Sequence, residues 1–229
     1  SEKDLEPIIF INNKSEKVAF FSYVDKNTNP HFTESQNCFI NILNLEIIKK
    51  DIQKYKNNCD RLIISLHWGI DYIQYVSQEQ VDIAKQIIDF GADLIIGHHS
   101  HVVQPHIEYR NKQIFFGLGG LVFGDFITKK GMESSFQKTK NGLILHVNQE
   151  HLSFFKSSDN RGNIITINPS PNQLKRNKKL WNVNKFFIRN EKLFFFYKRI
   201  ELFRIKIFHF FFAFQNNPFN RLFKKLKND

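Results

Sequence analysis

The chain has 229 residues, of which 41% are hydrophobic, so it is long enough to bury the core of one domain and to carry an appendage. It has 33 basic and 22 acidic residues, and no stretch reaches the ~18 consecutive apolar residues that a membrane-spanning helix needs. The first residue is Ser1 rather than Met. We therefore expect a processed, truncated or partial product, in which the lack of a signal peptide means little.

The positive charge is concentrated in one segment. Residues 174–229 hold 15 of the 33 basic residues, only 3 of the 22 acidic ones, and 13 of the 26 phenylalanines. The rest of the chain is nearly neutral, because its 18 basic residues face 19 acidic ones. We predict an α/β domain over residues 1–173 and a basic, Phe-rich, helical tail over residues 174–229.

The first elements in chain order are short. Residues 8–11 and 17–24 are predicted strands, and the polar segment 25–37 indicates a loop. Asn44 suits the N-cap of a helix that continues to about Asn58, because the apolar residues after it recur at helical spacing.

The next stretch predicts a strand–helix–strand unit that ends in histidines. Apolar runs at 62–66 and 94–96 flank segment 78–90, whose apolar residues have helical spacing. Both strands of such a unit run in the same direction, so their carboxyl ends meet at one edge of the sheet, where α/β proteins bind ligands. The first strand is followed by His67, and the second by His98, His99 and His101.

Four histidines at one sheet edge indicate metal or phosphate chemistry. Neutral imidazole is a good ligand for Zn, Fe, Mn, Ni or Cu, and a His-x-His pair can direct two rings at one centre. The alternative is that some of them are polar loop residues, or donors that orient the others. We expect the remaining five histidines to be structural or surface residues: His31, His106, His146, His151 and His209.

The chain beyond the histidines predicts further β-structure. Segments 102–109 and 112–118 indicate a hairpin. The dense glycines that follow suit either close approach of the backbone to a ligand or a bulged strand: Gly117, Gly119, Gly120 and Gly124. The remaining predicted features are a polar loop over 128–140, strands over 142–148 and 164–167, and the end of the globular core at 168–172.

The C-terminal tail has three interpretations. Basic residues interleaved with phenylalanine suit a helix that lies on an anionic membrane surface. They also suit a helix that packs its Phe face on the core and leaves its lysines in water. Nucleic-acid binding is the third and weakest interpretation.

Four motifs stand in a fixed order along the chain: HWGIDY at 67–72, GADLII at 91–96, GHHSHVVQ at 97–104 and GLGGLVF at 117–123. Together they resemble the CapA family, the capsule or poly-γ-glutamate synthesis proteins with a calcineurin-like metallophosphoesterase fold. The resemblance covers residues 17–126. It implies a layered sandwich in which helices flank a β core and a metal centre lies at the strand ends.

The resemblance also implies roles for individual residues. A divalent metal, Mn, Fe or Zn, is expected on His67, His99 and His101. Catalytic roles are expected for His67, Asp71 and His98, and substrate contacts for Trp68, Gly69, Gly119 and Gly120.

Several departures from the family pattern weaken these expectations. The family usually has Glu at the position of Asp71, Pro at that of Ser100 and Asn at that of Gly120. The upstream half that supplies the first metal ligands has no counterpart that we find here, and Gly124–Asp125 is incidental. Without an upstream bridging carboxylate, we expect the histidines to bind at most one metal, and weakly.

Two functions follow from the motifs and the tail. The first is metal-dependent hydrolysis of a phosphoester or anionic polymer in capsule or poly-γ-glutamate biosynthesis, with an upstream chain completing the domain. The alternative is a degenerate, non-catalytic assembly subunit of a capsule synthesis or export complex, held on the membrane by residues 174–229. The resemblance implies a membrane-associated, extracytoplasmic location.

Overall fold

A six-stranded sheet lies at the centre of the structure. The computed structural model describes residues 5–28, 40–121, 126–128, 131–133, 141–148, 151–159 and 165–215. The strands of this sheet are β1 (Ile8–Ile11), β2 (Lys17–Val24), β3 (Arg61–Trp68), β4 (Leu94–His99), β5 (His106–Tyr109) and β6 (Lys112–Phe115). Their spatial order is β1-β2-β3-β4-β6-β5. The four inner strands are parallel, and β1 and β5 pair antiparallel at the edges.

Two helices connect the parallel strands, and both have the predicted starts. Helix α1 (Leu45–Tyr55) joins β2 to β3, and Asn44 Oδ1 caps it by accepting from the backbone N–H groups of the first turn. Helix α2 (Gln78–Phe90) joins β3 to β4, and Ser77 begins it in a reciprocal capping box with Gln80. The predicted strand–helix–strand unit is therefore confirmed.

The two faces of the sheet bury different layers. Alternate residues such as Leu62, Ile64 and Ile95 pack with the buried faces of α1 and α2. Residues of the opposite parity, such as Leu94 and Phe115, pack with Leu143 and Phe154 of a second sheet. That sheet contains β9 (Asn141–Asn148), β10 (His151–Asp159) and β11 (Ile165–Pro169), in the order β11-β10-β9.

This arrangement of helices, large sheet and small sheet is the predicted layered α/β sandwich. The hairpin after the histidines is also confirmed, because β5 and β6 pair around Arg110 and Asn111, both with positive φ. One prediction was wrong, and one strand was missed. The segment 128–140 was predicted to be a polar loop, but it contains strand β8 (Gly131–Glu133), which pairs with β7 (Phe126–Thr128). Strand β10 was not predicted.

Both errors have the same cause. Strands β8 and β10 carry polar residues without a clean apolar alternation. Such segments become strands through hydrogen bonds to neighbouring strands, and β10 pairs with β9 on one side and β11 on the other. The residue pattern of one segment does not show which other segment will pair with it.

The described part of the tail, up to residue 215, is helical as predicted, and its first helix packs on the large sheet. Helix α3 (Gln173–Ile188) places Trp181 parallel to the ring of Phe116 at 6.5 Å. Asn184 is buried and forms two hydrogen bonds with Val76: its Oδ1 accepts from the backbone N–H at 2.7 Å, and its Nδ2 donates to the carbonyl at 3.3 Å. Helix α3 therefore contributes to the main core.

Helix α4 (Glu191–Gln215) has one buried side and one exposed side. Glu201 and Ile205 are buried, and the Tyr197 hydroxyl accepts from the backbone N–H of Gln74 at 3.3 Å. Among the described residues, no helix combines the length and the apolar composition that crossing a membrane requires.

The docking of α3 can be tested at Asn184. We expect Asn184→Ala to lower the free energy of unfolding by about 2–4 kcal/mol, because both backbone groups of Val76 lose their partner in a buried place. The measurement is urea unfolding followed by circular dichroism. Asn182→Ala, on the exposed side of the same helix, is the control and should change stability by less than about 0.5 kcal/mol. Equal effects of the two substitutions would contradict the proposed packing.

Candidate functional site

Parallel strand pairing places the histidines side by side. In the register of β3 and β4, His67 is the partner of His98, and Trp68 is the partner of His99. Both strands end at the same edge of the sheet, and His101 lies two residues beyond. The ring centroids of His67 and His99 are 4.7 Å apart, and those of His99 and His101 are 6.2 Å apart. The structure thus brings the sequence-predicted histidines into one cluster.

Hydrogen bonds join the loop that follows β3 to the loop that follows β4. The backbone N–H of Tyr72 donates to the Ser100 carbonyl at 2.8 Å. The buried side chain of Gln104 donates to the Ile73 carbonyl, also at 2.8 Å. Within the second loop, the Ser100 hydroxyl donates to the Val102 carbonyl at 3.0 Å. These bonds hold the loops in a fixed relation although neither loop is part of the sheet.

Tyr72 and His101 in these loops, and His99 at the end of β4, adopt a left-handed backbone. Their φ values are 65° at Tyr72, 87° at His99 and 56° at His101. Such values are uncommon for residues other than glycine and cost free energy unless the surroundings impose them. The hydrogen bonds between the loops supply that constraint, and the resulting turns direct the rings of His99 and His101 toward Asp71.

Asp71 lies close to two imidazole nitrogens without bonding to them. Its Oδ1 atom is 3.5 Å from His99 Nε2 and 3.6 Å from His101 Nε2. That oxygen is buried and accepts no hydrogen bond from the described part of the chain, whereas the whole side chain is 48% exposed. A buried carboxylate oxygen without a partner is costly. It therefore calls for a cation or a donor in the space between these three groups.

The environment favours neutral imidazoles. Burial lowers the pKa of His99 and of His101, and the carboxylate of Asp71 only partly opposes this shift. A histidine with a lowered pKa is uncharged at neutral pH, and neutral imidazole is the form that ligates metals.

The donor types fit a transition metal, but the described residues do not form a complete site. Within those residues, no group of three or more His, Cys, Asp or Glu side chains is arranged so that it could hold a metal ion. The two Asp71–histidine separations are nevertheless close to the ~3.3 Å between neighbouring ligands in a tetrahedral shell with bonds of about 2.0–2.1 Å. Small side-chain movements and additional donors would be needed to close the shell.

Asp25 is a site residue that the sequence prediction missed. It directly follows β2, and its backbone N–H donates to the His67 carbonyl at 2.9 Å. Its negative charge also acts on His99, where it opposes the larger lowering of the pKa by burial. The signal was present, because β2 is parallel to β3 and must end at the same edge. The polar composition of residues 25–37 indicates a loop, and only the parallel pairing of β2 with β3 brings the start of that loop to the histidines.

Trp68, a predicted substrate contact, lies inside the core. It is 1% exposed, its ring stacks on Phe116 at 5.9 Å, and its Nε1 donates to the Phe116 carbonyl at 3.1 Å. This bond passes over Gly97, where a Cβ atom would lie 1.8 Å from the same carbonyl oxygen. Trp68 and Gly97 therefore have a packing role, and that packing fixes the strand ends that carry the histidines.

Two of the glycines predicted to contact substrate, Gly69 and Gly119, have backbone conformations that favour glycine. Gly69 has a φ of 87° at the turn after β3. Gly119 has a φ of 78°, and a Cβ there would lie 2.5 Å from the Asn141 carbonyl, since Gly119 bridges to Gly142 of the second sheet. Gly120 is buried. Gly124 and Asp125 lie outside the described residues.

The fold and the cluster define an α/β protein with a candidate metal centre at the carboxyl edge of its parallel sheet. The sequence profile of the family "Bacterial capsule synthesis protein PGA_cap" matches residues 1–125, which is more than half of the chain. The chain therefore belongs to that family, which confirms the resemblance seen in the sequence.

Curated relatives carry names that agree with the family. The capsule biosynthesis protein CapA of Bacillus anthracis is 32% identical over 125 residues, which are 53% of this chain and 30% of the relative. The PGA biosynthesis protein CapA of Bacillus subtilis is 34% identical over 99 residues, 42% of this chain and 26% of the relative. A probable polyglutamine synthesis accessory protein of Mycobacterium tuberculosis is 31% identical over 117 residues, 51% of this chain and 28% of the relative. The chain spans less than a third of the length of these relatives.

Two solved structures are distantly similar. A putative 5'-nucleotidase from Staphylococcus aureus in complex with alpha-ketoglutarate gives a TM-score of 0.38 at 11% identity and covers 77% of this chain and 33% of its own. The NAD nucleotidase of Haemophilus influenzae gives 0.35 at 11% identity and covers 70% and 28%. These scores are low, so the fold rests on the strand order and packing described above.

The crossing at Gly97 can be tested by adding one methyl group. We expect Gly97→Ala to lower the free energy of unfolding by about 3 kcal/mol or more, because Phe116 must move and the Trp68 hydrogen bond is lost. Thermal unfolding and tryptophan fluorescence measure the effect. His98→Ala changes the adjacent exposed residue and should cost less than about 1 kcal/mol. A Gly97→Ala protein as stable as His98→Ala would rule out the steric explanation.

Proposed function

We propose that this chain carries part of a metal-dependent hydrolase site that acts in capsule or poly-γ-glutamate synthesis. The observation that carries the proposal is the buried oxygen of Asp71 between His99 and His101, which accepts no hydrogen bond from the described residues. Three further features support it: the neighbouring ring of His67, the neutral state that burial favours in His99 and His101, and membership of the capsule synthesis family. Because the chain spans less than a third of its relatives, further ligands are expected from elsewhere in a longer protein.

The positions of the residues suggest which would bind the metal and which would transfer a proton. Asp71, His99 and His101 would bind the metal, with His67 as the next nearest donor. A divalent Mn, Fe or Zn ion bound there would polarise a phosphoryl oxygen and neutralise charge that develops during hydrolysis. His98 lies beside His67, and partial burial of its ring lowers its pKa, so its neutral imidazole would be available to accept a proton from a substrate or water. The hydrogen bonds between the two loops keep these groups in place without the metal.

The proposal predicts that metal affinity depends on the convergent donors. We expect His99→Ala to weaken Zn²⁺ binding at least about tenfold, and Asp71→Asn to weaken it about tenfold, because each removes one of few ligands. Isothermal titration with Zn²⁺ and Mn²⁺, and elemental analysis of the purified chain, provide the measurements. His146→Ala is the control, since His146 is exposed on the second sheet, where it contacts Ser153.

The same experiment separates this proposal from a vestigial site. If the chain binds no metal after reconstitution, or if His146→Ala weakens binding as much as His99→Ala, the cluster does not act as a metal site in this chain. The proposal would survive only if a longer natural protein bound metal and lost it on His99→Ala.

A second candidate function is favoured by the exposed side of α4. Four apolar residues at helical spacing form a stripe that faces away from the core: Phe196, Ile200, Phe203 and Ile207. Phe196 is 61% and Phe203 64% exposed, which is unusual for such large apolar side chains. Next to this stripe run the exposed basic residues Lys192, Arg199 and Lys206.

An apolar stripe beside a basic one suits a helix lying in the surface of an anionic membrane. Burial of the phenylalanines in the headgroup region and attraction of the basic residues to anionic lipid would act together. The function would then be that of a membrane-associated assembly subunit of a capsule synthesis or export complex. The two candidates are compatible, because α4 and the histidine cluster use different residues.

Membrane association predicts binding to anionic vesicles that salt weakens. We expect the double substitution Phe196→Gln, Phe203→Gln to weaken binding to phosphatidylglycerol vesicles at least about tenfold, because both side chains lose their apolar burial. Cosedimentation at low and high salt is the measurement. Ile167→Gln, which replaces an exposed apolar residue of the second sheet, should have no effect. Binding that ignores salt, or that survives the double substitution, would eliminate this role for α4.

A further inference from the structure

A pocket separate from the histidine cluster lies between helix α3, the second sheet and the segment that follows the histidines. Its volume is about 370 Å³, within the usual size of small-molecule sites. Val103, only two residues after His101, forms part of its wall together with Tyr75. We propose that this pocket binds an organic anion: a phosphate or carboxylate group on an apolar body.

The apolar part of the pocket is built from two layers of the fold. Leu180 and Val183 come from α3, and Leu143 comes from β9 of the second sheet. Leu143 is anchored by the bond from its backbone N–H to the Leu118 carbonyl at 2.8 Å, and its side chain belongs to the core between the sheets. The apolar wall is therefore part of the folded structure, so an apolar ligand would meet a surface that already exists.

The charged part of the pocket has a single sign. Three basic residues line it, Lys156 from β10 and Arg176 and Lys179 from α3, and none of the residues that line it is acidic. The described residues show no hydrogen bond or ion pair that engages any of these three side chains. Gln173 adds an amide that is held in place, because its Oε1 accepts from Ser170 and its Nε2 donates to Asn177.

The ligand class follows from combining the two parts. A fully polar anion would be attracted by the three cations, but Leu143, Leu180 and Val183 would stay in contact with water. A neutral apolar molecule would cover the apolar wall but would form no ion pair with the cations. A guanidinium with two ammonium groups suits a phosphate or a carboxylate, which arginine can bind through two hydrogen bonds. The site uses none of the metal donors, so the inference goes beyond the proposed hydrolase function.

Octyl phosphate is a suitable probe, used below its micelle-forming concentration in isothermal titration with the full chain. We expect saturable binding with one site, at least about tenfold tighter than that of inorganic phosphate or of octyl glucoside. The double substitution Arg176→Gln, Lys179→Gln should weaken it at least about tenfold, and Leu180→Gln should weaken it severalfold. Lys178→Gln, which removes an exposed charge of the same helix outside the pocket, should leave it unchanged.

Two further variants locate the binding site and separate this proposal from the metal site. The Phe196→Gln, Phe203→Gln protein must still bind octyl phosphate, since loss of binding would place the ligand on α4 instead of in the pocket. The His99→Ala protein must also bind it, so that failure of the metal site and failure of this proposal are distinguished. Equal binding of inorganic phosphate and octyl phosphate, or an equal loss in Lys178→Gln, would overturn the proposal. Circular dichroism confirms that each variant is folded.

Discussion

The close crossing at Gly97 is the constraint on which the rest of the site depends. Only a residue without a side chain lets the Phe116 carbonyl approach β4 closely enough to accept the hydrogen bond from Trp68. That bond joins the end of β3 to the segment after β6, with β4 between them. Because His67 precedes Trp68 and His98 follows Gly97, the crossing sets where both histidine-bearing strand ends stand. The motif glycine and tryptophan therefore matter through packing, and the histidines depend on them.

The cluster that results has the character of a site prepared for a cation. Its loops are joined by backbone and side-chain hydrogen bonds, and left-handed residues turn the rings toward one carboxylate. Burial lowers the pKa of His99 and of His101, and Asp71 contributes a buried oxygen that accepts no hydrogen bond from the described residues. The left-handed backbone and the buried carboxylate oxygen cost stability in the absence of a ligand, and the hydrogen bonds between the loops offset this cost.

The C-terminal helices show how one basic segment can serve several surfaces. Helix α3 buries Asn177, Asn184 and the ring of Trp181 toward the core, while Arg176 and Lys179 line the pocket on another side. Helix α4 buries Glu201 and Ile205 and exposes the apolar stripe that includes Phe196 and Phe203. Among the described basic residues of this segment, Arg176 and Lys179 line the pocket, whereas Lys192, Arg199 and Lys206 lie on the outward face of α4. Packing on the core, which the sequence offered as one of three interpretations, accounts for only one side of each helix.

Local patterns in the sequence determined the elements whose signals lie within a single segment. Asn44 and the apolar spacing of α1 and α2 predicted the helices, and the strand–helix–strand rule placed His67 beside His98 and His99 without a structure. Contacts between distant segments were decided by the tertiary structure alone. Strand β10 needed β9 as its partner, Asp25 joined the cluster only because β2 ends beside β3, and Trp68 proved to be core because Phe116 lies across Gly97. The physical reason is that periodicity records which face of an element is apolar, whereas a hydrogen bond across the sheet or a van der Waals contact depends on which other segment covers that face.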